Sequence, residues 1–119
     1  MIVLDSSAAC DMVRKTEEGM AFRALMLSEE KVISCELLRA EVVSVFRKLC
    51  RHGLIPIEKV QSFLTESTAL VNEYYSIQEL QEEVLSESIR LDHSSYDMFY
   101  FVLARRFGAT LFTLDRKLI

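Results

Sequence analysis

Four acidic residues of this 119-residue chain are spaced so that they could do chemistry together: Asp5, Glu41, Asp97 and Asp115. Asp5 ends the apolar run Ile2-Val3-Leu4, and Asp115 follows the run Thr110-Leu111-Phe112-Thr113. Taken singly, three of them have a structural use. Asp5 and Asp115 stand where a strand gives way to a helix, the position of an N-cap, and Asp97 follows Ser94 at the spacing of a capping box. Glu41 caps nothing. It lies well inside a helical stretch, and its i−3 and i+4 neighbours, Leu38 and Val45, put its carboxylate at the border of the buried face. If the four meet, their repulsion forces one or more to take up a proton unless a cation compensates, and no Arg or Lys is evidently placed among them. Oxygen-only ligands suit Mg2+ or Mn2+. Such an ion polarises a phosphodiester and lowers the pKa of a bound water. No competing machinery is evident: the chain has two histidines, His52 and His93, too few cues for a Ser-His-Asp arrangement, and no phosphate-binding glycine loop.

The elements that would position these acids are legible as alternating apolar runs and helical stripes. Short strands are expected at 2–4, 31–34 and 110–113. Helices are expected from Ser6, which with Ser7 is placed to cap, and over 16–27, 36–52, 57–71, 78–91 and 94–107. Ser34 is placed to cap the helix over 36–52, whose stripe Leu38, Val42, Val45, Phe46 and Leu49 has the helical period. Met20, Ala24 and Leu27 fall at helical spacing on the second helix, with Phe22 and Leu25 beside them, and Leu80, Val84 and Ile89 are expected inward on the fifth. The segment 72–77 reads ambiguously. The resulting order, β-α-α-β-α-α-α-α-β-α, implies a parallel sheet with helices on its faces. In such sheets ligands bind in the crevice outside the carboxyl ends of the strands. Asp5 and Asp115 follow strands, and Asp97 and Glu41 lie early in helices that flank them, so all four are aimed at that edge.

Composition bounds the alternatives. With three Gly and one Pro the chain lacks the turn residues of an all-β fold, and 119 residues suit one domain, 1–119. A net charge of −4 is the wrong sign for phosphate binding, although an acidic site filled by divalent ions presents positive charge. Basic residues remain in clusters: Arg47, Lys48, Arg51 and His52, then Arg105 and Arg106, then Arg116 and Lys117. Each cluster also reads as a solvated helix end. Cys10, Cys35 and Cys50 show neither disulfide nor zinc spacing. No signal peptide or membrane span is evident, so a cytoplasmic protein is expected. His93 is expected on a loop surface, and Tyr96 and Tyr100 in the core.

The chain resembles the PIN-domain ribonucleases, in particular the VapC-like toxins of prokaryotic toxin–antitoxin pairs. The resemblance rests on Ile2-Val3-Leu4-Asp5-Ser6-Ser7, on Leu38-Arg39-Ala40-Glu41-Val42, on Ser95-Tyr96-Asp97-Met98-Phe99-Tyr100-Phe101-Val102-Leu103-Ala104, and on Thr110-Leu111-Phe112-Thr113-Leu114-Asp115. It covers essentially the whole chain in order, and the last two blocks together are the specific ones. It implies a three-layer α/β/α PIN-like fold with a central parallel sheet of short strands. It implies that Asp5, Glu41, Asp97 and Asp115 hold Mg2+ or Mn2+, with Thr113 and Ser6 as polar supports behind them. The implied activity is endonucleolytic cleavage of RNA, often transfer or ribosomal RNA, by a homodimer that a partner antitoxin occludes. Family members usually continue for a further strand beyond the point where this sequence ends. Two other readings remain: a non-catalytic PIN-like interaction module, and a phosphate-transfer domain using Asp5. The second is poorly served by Ser6-Ser7, where the haloacid-dehalogenase type wants a second Asp.

Overall fold

The computed structural model describes residues 1–26 and 29–115. Four short strands form one parallel sheet: β1 (Ile2–Leu4), β2 (Val32–Cys35), β3 (Glu73–Tyr75) and β4 (Thr110–Phe112), in the order β3-β2-β1-β4. Six α-helices connect them: α1 (Ser6–Arg14) and α2 (Glu17–Leu25) after β1, α3 (Leu37–Arg51) and α4 (Val60–Ala69) after β2, and α5 (Ile77–Leu91) and α6 (Ser95–Phe107) after β3.

Crossover handedness turns this order into three layers. The steps β1→β2 and β2→β3 run the same way across the sheet, so right-handed connections put α1 to α4 on one face. The step β3→β4 runs back, which puts α5 and α6 on the other. The packing agrees: α1 packs on α2, α3 and α4, whereas α5 packs on α6 and α6 lies across β1, β2 and β4. Strands covered on both faces read as unbroken apolar runs. β1 and β2 are accordingly buried throughout, and Leu38, Val42, Phe46, Leu80, Met98, Val102 and Leu103 close over them. None of the described helices is long and apolar enough to cross a membrane.

Several local expectations are corrected. A fourth strand, β3, lies within the ambiguous segment 72–77. It is a three-residue edge strand with no apolar run; it pairs in parallel register with β2, and Asn72 extends the attachment. That residue's side-chain Oδ1 accepts from Val32 N at 2.8 Å while its own N–H donates to Val32 O at 2.8 Å. Ser34 is no cap: it lies inside β2 and its hydroxyl donates to Leu4 O at 2.6 Å, while Glu36 precedes α3 without a side-chain cap. Of the two caps expected for α1, Asp5 is the one observed and the serines are not. Ser94 makes no capping bond to α6. Ile89 is 73% exposed and Met20 48%; α2 instead lays Gly19 against α1, where an added Cβ would lie 1.9 Å from Asp11 O. The expected position of Leu27, and of a helix after Asp115, falls outside the described residues.

Candidate active site

The sheet order makes a crevice. β1 and β4 are neighbouring parallel strands, so their carboxyl ends open on one edge of the sheet, the edge at which parallel sheets bind ligands. Asp5 follows β1 there, and Thr113, Leu114 and Asp115 follow β4.

Asp5 is 4% exposed. Its backbone is extended, and its carboxylate accepts from Ala8 N at 2.9 Å and from Ser7 Oγ at 2.7 Å. The Thr113 hydroxyl also donates to it. Burial pushes its pKa up, those three donors hold it down, and the charge of Asp115 adds to the rise. Thr113, equally buried, uses its hydroxyl twice, accepting from Asp115 N at 2.9 Å. Ser7 does the same, accepting from Leu114 N at 3.1 Å. The two hydroxyls thus tie the end of β4 to the acid at the end of β1. The expected support from Ser6 goes elsewhere: Ser6 Oγ donates to Glu41 Oε1 at 3.3 Å, and Ser7, which the sequence offered only as a cap, faces Asp5.

Glu41 is half-buried on α3 and receives a short hydrogen bond from the Tyr100 hydroxyl. Tyr100 is buried, as expected of a core residue, but its hydroxyl is polar equipment for the crevice. Burial first, then the negative charge of Glu41, raises the phenol's pKa and keeps it a donor.

Asp97 points from the first turn of α6, which packs on the sheet, toward Asp115. Its pKa is pushed up to about 6. The causes are burial, then a hydrogen bond shared with Asp115 and that group's charge, with Glu41 adding to the rise and His93 opposing it. Asp97 and Asp115 are therefore a carboxylate pair that holds a proton or wants a cation. His93, from the α5–α6 loop, joins them. Its side chain is only 10% exposed, and its Nε2 lies 3.2 Å from Asp115 Oδ2. One ligand atom from each of His93, Asp97 and Asp115 lies within 4.8 Å of the others. The expectation that His93 is loop surface is corrected, and no sequence motif had singled it out. Asp5 and Glu41 border this cluster and reach it through charge. Asp92, exposed in a left-handed helix-ending position, does not belong to it.

Beside Glu41 an open groove of about 480 Å3 is lined by Ser6, Ala40, Ser44, Lys48 and Tyr96 among others. Tyr96 is 61% exposed, not core. Of the basic clusters, Arg105 and Arg106 are engaged with Glu83 and Glu87 of α5. Arg116 and Lys117 lie outside the described residues. Lys48 is the cation of the remaining run that lines this groove.

The PIN domain family model matches residues 2–119. The chain belongs to the PIN-domain family. Among curated relatives it is similar to Ribonuclease VapC3 of Pyrobaculum aerophilum, 24% identical over 119 residues that cover 98% of this chain and 91% of that protein. Among solved structures it is similar to PAE2754 of Pyrobaculum aerophilum, with a TM-score of 0.76 and 20% identity over 98% of this chain and 82% of that one. It is also similar to Mycobacterium tuberculosis VapC20, described as a sarcin-ricin-loop-cleaving toxin, with a TM-score of 0.68 and 18% identity over 99% of this chain and 92% of that one. At such identities the structural likeness speaks for the fold, and the PIN-like architecture read from the sequence is the one observed.

Proposed function

We propose that this PIN domain is a divalent-metal-dependent endoribonuclease and the toxin of a toxin–antitoxin pair. The observation that carries the reading is the Asp97–Asp115 carboxylate pair at the sheet-edge crevice, with His93 beside it and Asp5 and Glu41 bordering it. A carboxyl that burial first, and then a neighbouring carboxylate, holds up to about 6 is stabilised in its charged form by a cation. The residues therefore fit a divalent ion held by Asp97 and Asp115, with Asp5 and Glu41 contributing charge from the rim. When bound, such an ion supplies charge neutralisation at the phosphate and an acidified water.

The remaining residues position and polarise. Ser7 and Thr113 fix the Asp5 carboxylate and, through the Leu114 and Asp115 N–H groups, the backbone that carries Asp115. Tyr100 and Ser6 orient Glu41 toward the groove mouth. Lys48 offers a phosphate contact there, and the exposed Tyr96 ring offers a face on which an unpaired base can stack. A single-stranded segment of a structured RNA, of the transfer or ribosomal class, suits such an open groove. The ion is Mg2+ or Mn2+. A cognate antitoxin is part of the same reading, which draws support from the VapC relatives, and a homodimer is proposed with it.

The test is cleavage of labelled RNA by purified protein with Mg2+ or Mn2+ and with EDTA. Cleavage is expected only with the metal, and Asp97→Asn and Asp5→Asn are expected to abolish it. Unchanged cleavage in both variants would overturn the reading.

A further inference from the structure

We propose that His93 is a direct ligand of the divalent ion, through Nε2, beside Asp97 and Asp115. This rests on the nuclease reading of the same crevice and specifies what holds the ion. The loop that carries His93 is set by its backbone. Asp92 turns in the left-handed region at the end of α5, and His93 N then donates to Ser88 O at 3.1 Å. The ring is thereby nine-tenths buried. Its Nδ1 lies 3.2 Å from Ser94 O. A carbonyl can only accept, so this bond places a proton on Nδ1, and in the neutral ring the Nε2 lone pair is left facing the crevice. Metal-bound histidines are commonly oriented by such a bond from the other ring nitrogen.

Nε2 itself is shielded from solvent and has no hydrogen-bond partner among the described residues. It is close to Asp115 Oδ2, at 3.2 Å, yet not in hydrogen-bond geometry with it. A lone pair beside a carboxylate oxygen is unfavourable unless something positive lies between them. Ligand atoms on opposite sides of one ion lie about 4 Å apart, given metal–ligand bonds of about 2.1 Å. Atoms from His93, Asp97 and Asp115 lie within 4.8 Å of one another, close to that span. An imidazole in place of one more oxygen also changes which ion is favoured. First-row transition-metal ions take an imidazole nitrogen more readily than Mg2+ does, so Mn2+ gains on Mg2+ relative to an all-carboxylate site.

The competing arrangement is a plain ion pair between protonated His93 and Asp115, and pulsed electron paramagnetic resonance on the Mn2+-loaded protein separates the two. Directly coordinated imidazole gives 14N modulation of the Mn2+ echo. That modulation is expected in the wild type, changed by 15N-histidine labelling, and absent in His93→Gln. His52, on the exposed end of α3, remains as an internal control. Calorimetric titration is expected to show His93→Gln weakening Mn2+ binding about 10-fold or more, with a smaller loss for Mg2+. Mn2+ binding to the wild type without histidine nitrogen modulation overturns the ligand role and leaves the nuclease reading standing. Failure of the wild type to bind either ion overturns both. The wild-type spectrum needs no variant, so poor folding of His93→Gln does not remove the test.

Discussion

Asp97→Asn is expected to make the metal-free protein more stable at neutral pH while weakening its hold on metal. In the fold the Asp97 carboxyl is pushed from its ordinary 3.8 up to about 6. At about 1.4 kcal/mol per pKa unit this rise corresponds to about 3 kcal/mol against the ionised form. The group is only partly buried, so solvent screening leaves roughly 1–2 kcal/mol. Asn also gives up a negative charge in the first turn of α6, a loss of about 0.5 kcal/mol. The net gain is about 1 kcal/mol, or about 4 °C in Tm for a domain of this size.

The sign with pH follows from linkage. Between about pH 4 and 6 the folded protein binds more of this proton than the unfolded chain, so wild-type stability falls as pH rises through that window. The penalty is absent below the unfolded pKa and fully present above the folded one. Thermal unfolding in EDTA should therefore show the variant ahead of the wild type at pH 7.5, with the gap shrinking at pH 4.5. Saturating Mn2+ should reverse the order at pH 7.5, because an ion at about 100 times its Kd adds about 2.7 kcal/mol to the form that binds it. A metal-free variant that is less stable at pH 7.5, or a gap that does not shrink on acidification, would refute the reasoning that burial and the neighbouring Asp115 disfavour the ionised carboxyl.

Three further perturbations test neighbouring parts. Gly19→Ala places a methyl 1.9 Å from the Asp11 carbonyl oxygen, a backbone atom that can move only by parting α1 from α2, so urea unfolding should show a loss of about 2 kcal/mol or more. Thr113→Val keeps the shape but removes the hydroxyl between Asp5 and Asp115 N, which should cost about 1–3 kcal/mol in chemical denaturation. Lys48→Ala should weaken RNA binding evenly across sequences and reduce the slope of log K against log salt by about 1, measured by fluorescence anisotropy with a cleavage-dead background.

The architecture was legible where the sequence carries strong periodic or continuous apolar signals. β1, β2 and β4 are runs of three or four mostly apolar residues, and α3, α5 and α6 carry stripes or dense apolar stretches that end close to where their patterns end. β3 was not legible because Glu73-Tyr74-Tyr75 buries no full face. Its pairing with β2 is extended by the Asn72 side chain, 40 positions from Val32, a contact that local pattern cannot encode. The capping serines were misplaced for a related reason. Asp, Ser and Thr all cap well, so a run such as Asp5-Ser6-Ser7 says that a helix starts there but not which hydroxyl faces the acid and which faces Glu41.

For the site, the four acids could be named because strand ends and helix starts tell where their Cα atoms go. Of the groups that tune them, the resemblance named Thr113, whereas Tyr100 and His93, which reach in from α6 and the α5–α6 loop, were not named. Tyr100 lies 59 positions from Glu41 and reads as core, because a helical aromatic with a buried ring looks the same whether or not its hydroxyl has work. His93 is harder still. Its burial depends on a left-handed Asp92 at the end of α5, a conformation that an Asp tolerates but does not announce. The two missed residues have one property in common: each directs a polar atom at a carboxylate from outside the strand ends. The acids mark the crevice, and the groups that set their protons and their choice of ion are found only where α5, α6 and α3 are brought together over the sheet.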